Sequence, residues 1–321
     1  MIEIKDLRKD FGSLTAVRDL SFQVPEGQVL GFLGPNGAGK STTMKMICGF
    51  LTPTAGQVTV CGHDIESQPL EAKRCMGYLP EGAPGYGEMT PQQFLDFVAD
   101  VRDMSRSARR ERQGRVIEQL QLGRVLHQSI ETLSKGFRRR VGLAQAILHD
   151  PKVLILDEPT DGLDPNQKHE VRELIGALAK DKIVVVSTHI LEEVEAVCDR
   201  AIIIARGRLL ADASPQELEA KSRYHNAVRL STSELDAAVE HISRLPEVTH
   251  VDVERQSGRL VAVPRSGSSP FAAISELART QGWPVDELTV ERGRLDEVFR
   301  QITLGNGVGN EIGEAKQGAQ S

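Results

Sequence analysis

The chain has 321 residues, 40% of them apolar and 26% charged, with a formal net charge of -6. This length accommodates one large domain or a larger one with a smaller companion, and the composition is that of a folding globular chain. The acidic balance argues against a dedicated nucleic-acid binder. No stretch approaches the roughly 18 to 20 apolar residues of a membrane helix, and the polar start MIEIKDLRKD does not read as a signal peptide, so a cytosolic chain is expected.

Gln28 to Leu33 is a short apolar run ending at Gly34, and an amphipathic stretch with Met44, Ile47 and Phe50 begins after Lys40, which reads as strand, loop and helix. From about Glu81 to Gly123 the pattern is helical and charged, with Phe94, Leu95 and Phe97 ahead of an Arg-rich segment. Apolar runs at Val153 to Leu156 and Ile183 to Ser187 flank a helix-period segment with Val171, Leu174, Ile175 and Leu178, the pattern of buried parallel strands joined by a crossover helix. A third run, Ala201 to Ile204, leads into a turn at Arg206 and Gly207. Beyond Ser222 the order β-α-β-β-α-β follows, which is the ferredoxin-like pattern, then an amphipathic helix with Leu295, Val298, Phe299 and Ile302. The Gly-rich end after Leu304 has too few apolar residues to pack and is expected to be disordered. Cys48, Cys61, Cys75 and Cys198 have no C-x-x-C spacing and read as small buried hydrophobes.

Gly34, Pro35, Asn36, Gly37, Ala38, Gly39, Lys40 and Ser41 match G-x-x-x-x-G-K-[ST] between strand and helix, the context that motif requires. Such a loop points backbone N–H groups at phosphate oxygens, Lys40 reaches the β and γ phosphates, and Ser41 offers a hydroxyl to Mg²⁺. The strand Val153 to Leu156 ends in two carboxylates. Asp157 is placed to hold Mg²⁺ through water, and Glu158, pointing elsewhere because strand side chains alternate, to orient or deprotonate the attacking water. His189 falls at the end of another strand, within reach of the γ-phosphate or as a simple hydrogen-bonding residue.

In order, Gly34 to Ser41, Leu133 to Arg140 (LSKGFRRR), Leu156 to Pro159, Gly162 to Asp164 and His189 resemble the ATP-binding cassette of ABC transporters, over about residues 1 to 220. The resemblance implies an α/β P-loop NTPase cassette over 1–222, with a helical subdomain at about 82–150; the pattern beyond it gives a small C-terminal α+β (ferredoxin-like) domain over 223–304 and a disordered tail over 305–321. It implies ATP and Mg²⁺ as ligands, nucleotide contacts running on to Thr42, and Phe11 stacked on adenine, although Phe11 reads equally as a core residue. It also implies a head-to-tail dimer in which Ser134 and Gly136 cap the nucleotide of the other copy; taken alone, the same segment reads as a Ser-capped basic helix. Asp164 resembles the residue linking the two sites. Lys135 and Phe137 depart from the commonest signature, and Glu81 stands where the family has a glutamine that contacts Mg²⁺ and couples to the membrane subunit.

The segment Leu295 to Phe299 (LDEVF) looks like the closing helix of cassettes serving ABC-2 type exporters, including drug and gliding-associated subunits. The implied protein is an ATPase at the cytoplasmic face of the cell membrane, driving a separately encoded permease. A soluble cassette acting on ribosomes or DNA is the alternative, disfavoured by the single phosphate loop and the absence of sustained heptads. The run Arg138 to Arg140 is read as a solvated helix face and no nucleic-acid partner is expected. A non-hydrolysing regulatory cassette is disfavoured by Lys40, Asp157, Glu158 and His189.

Overall fold

A computed structural model describes residues 1–82 and 85–305. The chain divides into two compact units, the first running from Met1 to Asp212 and the second beginning at Ala213, ten residues ahead of the boundary expected after Ser222. The first unit opens with strands β1 (Ile2–Phe11) and β2 (Leu14–Val24), which pair as an antiparallel hairpin. Neither keeps a strict two-residue period. Ile2, Ile4 and Leu7 are buried along β1, and Val17, Leu20, Phe22 and Val24 along β2. The change of phase coincides with left-handed Asp6 (φ 47°) and Asp19 (φ 50°), where bulges shift the register and Ser21 Oγ accepts from Asp6 N at 2.8 Å.

Strand β3 (Val29–Leu33) leads through the phosphate loop into α1 (Lys40–Ile47). Met44 and Ile47 are buried as expected, but Phe50 lies beyond the helix end and is 66% exposed, so it does not belong to the amphipathic face. Strands β4 (Ala55–Val60) and β5 (His63–Asp64) complete a four-stranded sheet of order β2-β1-β4-β5. Helix α2 (Pro69–Arg74) and strand β6 (Met76–Leu79) follow, then helices α3 (Pro91–Val101), α4 (Arg106–Gln119) and α5 (Lys135–Ile147).

Strand β7 (Val153–Asp157), helix α6 (Pro165–Ala179), strand β8 (Ile183–Thr188), helix α7 (Leu191–Val197) and strands β9 (Arg200–Ala205) and β10 (Arg208–Ala213) finish the main sheet, whose order is β10-β9-β3-β8-β7-β6. The pairs from β9 across to β6 are parallel, and every residue of β3, β7 and β8 is buried, as covering of both faces requires. Parallel order puts the carboxyl ends of β3, β7 and β8 at one edge, so the phosphate loop, Asp157 and His189 emerge side by side. Arg206 and Gly207, both at positive φ, make the two-residue turn read from the sequence.

The second unit begins with α8 (Pro215–Glu219) and continues through β11 (Val228–Thr232), α9 (Leu235–Ile242), β12 (Val248–Glu254), β13 (Arg259–Pro264), α10 (Phe271–Gln281), β14 (Val285–Val290) and α11 (Leu295–Gly305). Its antiparallel sheet has the order β12-β13-β11-β14, which is the ferredoxin-like order for β-α-β-β-α-β. Ala238 and Ile242 of α9 and Ile274 and Ala278 of α10 share one core with Val228, Leu230 and Leu260 of the sheet. Gly305 ends α11; the rest of the segment expected to be disordered lies outside the described residues.

Candidate active site

The phosphate loop is shaped by two glycines with different reasons. A Cβ at Gly34 would stand 2.4 Å from the Ile204 carbonyl oxygen, so the loop leaves β3 pressed against β9. Gly39, the residue before α1, sits at φ 106°, closed to ordinary side chains, and a Cβ there would meet Ala16 O at 2.7 Å. No side chain caps α1, which leaves its first-turn N–H groups directed at whatever anion the loop receives. Pro35, Asn36 and Gly37 are exposed, Ala38 and Lys40 buried, and Ser41 and Thr42 half-buried at the helix start. The Lys40 ammonium donates to Gly34 O at 2.7 Å and Pro35 O at 3.3 Å. Burial pushes its pKa down, against the pull of Glu158, Asp157 and Glu81, so three carboxylates act on this one cation.

Asp157, 2% exposed at the end of β7, accepts from Ser187 Oγ of β8. Glu158 is turned away from it, but not by strand alternation. The strand has ended, and Glu158 adopts a left-handed conformation (φ 50°) while its N–H donates to Ser187 O at 3.0 Å. Positive φ in a non-glycine residue is strained, and such strain persists where surrounding bonds impose it. The Glu158 carboxylate accepts from His189 Nδ1, 3.0 Å from both oxygens. Burial raises the Glu158 pKa, with the His189 bond and the charges of His189 and Lys40 opposing it. A ring whose Nδ1–H faces a carboxylate presents Nε2 to a second group.

Glu81 is exposed just after β6, near enough for its charge to act on Lys40. Ser134 is exposed and caps α5, its Oγ accepting from Phe137 N at 3.3 Å, so the Ser-capped helix read from the sequence is present. Gly136 is buried, with the Gln167 side chain of α6 against it. Asp164 caps α6 through Gln167 N at 2.9 Å. Phe11 is 48% exposed at the tip of the β1-β2 hairpin, with Lys9 Nζ 5.2 Å from its ring centroid, so it is not a core residue.

The solvated-face reading of Arg138 to Arg140 fails at two of the three, since only Arg138 is half-exposed. Arg139 and Arg140 are 5% and 8% exposed, Arg139 bound to backbone carbonyls and Arg140 to Glu170 at 2.5 Å, because the buried side of α5 runs through Gly136, Arg140, Leu143 and Ile147. That period was available in the sequence. Glu193 of α7 escaped notice there too: buried, it accepts from Thr188 Oγ1 at 2.8 Å and from Thr160 Oγ1, tying the two segments that follow Asp157 and precede His189. No local pattern marks a glutamate for that role. Cys48 and Cys198 are buried as expected, with burial pushing the Cys198 thiol up to about 12, whereas Cys61 and Cys75 are half-buried.

Among the described residues no three His, Cys, Asp or Glu side chains form a metal cage. The donors at hand, the Ser41 hydroxyl and the buried Asp157 carboxylate, are hard oxygens that suit a cation completing its shell with phosphate and water, which fits Mg²⁺.

A lysine-bearing loop on an uncapped helix, set between strand-end carboxylates at the edge of a parallel sheet, defines a nucleotide-binding protein of the P-loop class. Residues 17–161 match the ABC transporter family model. The chain is 39% identical over 223 residues to the probable multidrug ABC transporter ATP-binding protein YbhF of Escherichia coli, covering 69% of this chain and 38% of that protein. The Nod factor export ATP-binding protein I of Burkholderia orbicola is 37% identical over 307 residues, with 94% of this chain and 96% of that protein covered. A solved ATP-binding subunit of an ABC transporter superimposes with a TM-score of 0.65 at 31% identity, covering 69% of this chain and 92% of its own. The chain belongs to the ATP-binding subunits of ABC transporters.

Proposed function

We propose that the chain hydrolyses ATP as one half of a head-to-tail dimer and thereby drives a separate membrane permease. The observation that carries the chemistry is the buried Lys40 ammonium facing Asp157 and the Glu158–His189 pair at one sheet edge. Lys40 exchanges its two loop carbonyls for β- and γ-phosphate oxygens, and the first-turn amides of α1 and the loop, from Gly34 to Thr42, cradle the same group. Ser41 and Asp157, together with Glu81, would hold Mg²⁺, which would supply charge neutralisation at the phosphates. Glu158, with its proton affinity raised by burial, accepts a proton from the attacking water or aims it, and His189 holds that carboxylate and presents its other nitrogen to the γ-phosphate. Phe11 stacks on the base.

The exposed Ser134 and the first turn of α5 with Gly136 offer a second helix start to the γ-phosphate, that of ATP bound by another copy. ATP favours the closed dimer only through such differential contacts. For the permease, the supporting feature is a groove that exposes Phe50, Leu70 and Val101 around Met76 and Tyr78, and reaches Pro80 next to Glu81. An apolar cleft continuous with an active-site segment suits a short amphipathic element of a partner. Export is favoured by the names of the relatives and by the LDEVF helix start. Among the described residues no helix is long and apolar enough to cross a membrane. Coupling to a permease and use of ATP put the chain peripherally, at the cytoplasmic face. The chain from Ala213 on, which holds the ferredoxin-like domain expected over 223–304, is assigned as an accessory domain in addition to the cassette.

The test is kinetic. Lys40→Ala should lower both nucleotide affinity and turnover, turnover by ~100-fold or more, and Glu158→Gln should lower turnover by a similar factor while retaining ATP and accumulating as a dimer. Unchanged turnover in Glu158→Gln would remove that residue from the reaction.

A further inference from the structure

Arg139 is a cation with an unusual set of partners. Its Nε donates to Pro159 O at 3.3 Å, Nη1 to Pro80 O at 3.0 Å and Gly82 O at 2.6 Å, and Nη2 to the carbonyls of Asp157 and Glu158. The five acceptors lie on two segments that the sequence separates widely: the end of β7 with its left-handed Glu158, and the stretch after β6 that carries Glu81. Among the described residues each of these bonds goes to backbone, so the guanidinium fixes where the two segments run and leaves the carboxylates of Asp157, Glu158 and Glu81 for other work. A lysine in its place has three donors on one point and no planar fork, and reaches only part of this set. Burial pushes the guanidinium pKa down, and the surrounding carboxylates of Asp161, Asp157, Glu158 and Glu81 offset part of that cost.

We propose that Arg139 is a positioning residue for hydrolysis: it imposes the turn that aims Glu158, and it binds the Glu81 segment to the same helix whose first turn carries Ser134 and Gly136. Seating of that helix on ATP held by a second copy is then felt at both carboxylates together. The proposal rests on Glu158 as the water-aiming group, and its test separates the two.

Full-length Arg139→Gln, Arg139→Lys, Glu158→Gln and the Arg139→Gln/Glu158→Gln double variant are compared by thermal unfolding, affinity for a fluorescent ATP analogue, steady-state kcat and KM, and single-turnover hydrolysis. Arg139→Gln is expected to lower kcat about 10- to 100-fold, with KM and affinity within about threefold of wild type, because misaiming a reacting group costs turnover rather than binding. Arg139→Lys is expected to restore only part of that loss, and the double variant to hydrolyse no more slowly than Glu158→Gln alone. An unchanged kcat, a loss expressed in KM, full activity in Arg139→Lys, or two losses that multiply would each overturn the proposal. Should Arg139→Gln not fold, Arg139→Lys alone and combined with Glu158→Gln carries the same comparison, with the same outcomes deciding. Wild-type turnover in Glu158→Gln defeats the underlying reading of Glu158, and the proposal with it, whatever the Arg139 variants do.

Discussion

Lys40 and Glu158 are both held in states that water would not choose, the ammonium desolvated on loop carbonyls and the carboxylate desolvated against His189. His149 is a third such group, away from the site. Its Nε2 lies 2.9 Å from Met76 O, its Nδ1 is buried with no hydrogen-bond partner among the described residues, and burial together with the charge of Arg102 pushes its pKa down to about 4. Between that value and the ordinary 6.5 the unfolded chain binds a proton that the folded chain refuses. The contribution is therefore present above pH ~6.5 and lost as pH falls toward ~4, by about 3 kcal/mol at most. Urea unfolding at about pH 7.5 and about pH 5 should show wild type losing more stability than His149→Gln, which keeps an N–H donor without the titration; equal losses would contradict this. At this scale the phosphate loop and the Asp157–Glu158 pair were legible, since each is a contiguous string at the end of an apolar run. The left-handed turn at Glu158, the five-carbonyl role of Arg139 and the tie made by Glu193 were not, because each depends on residues brought together from distant parts of the chain.

Elements are fixed by close approaches as much as by periodicity. Helix α5 lies so near β6 that a Cβ on Gly77 would stand 2.0 Å from Ala146 O, whereas Gly114 in α4 has nothing within 4 Å. Gly77→Ala should push the signature helix off the sheet and cost about 3 kcal/mol, while Gly114→Ala should stabilise by about 0.5 to 1 kcal/mol by removing backbone freedom from the unfolded chain. Denaturant midpoints moving in the same direction for both would contradict this packing. The fully buried strands β3, β7 and β8 could be read directly, because continuous apolar runs survive without any alternation. Strands β1 and β2 went unread because bulges at Asp6 and Asp19 break the two-residue phase, and β6 because it is four residues long with a glycine inside. The alternation in β11 is unbroken, and the β-α-β-β-α-β order that starts with it was legible, whereas the five-residue α8 ahead of it was not.

At the scale of the whole molecule, the first unit presents two surfaces that call for partners: the exposed Ser134 with the exposed tip of the phosphate loop, and the groove around Phe50, Leu70 and Val101. Under the function proposed above, the first would meet a second copy and the second a permease. A second copy and a permease were implied by resemblance, whereas the groove itself was not read from the sequence, since exposure is a property of the folded chain. The most direct measurement is recovery of the tagged chain from native membranes, with ATP hydrolysis compared between wild type and Lys40→Ala in the material recovered. The expected result is a multispan membrane protein bound to the chain and hydrolysis that disappears with Lys40. Hydrolysis by a chain that brings down ribosomes, DNA or no membrane protein, or a membrane complex whose hydrolysis survives the loss of Lys40, would contradict it.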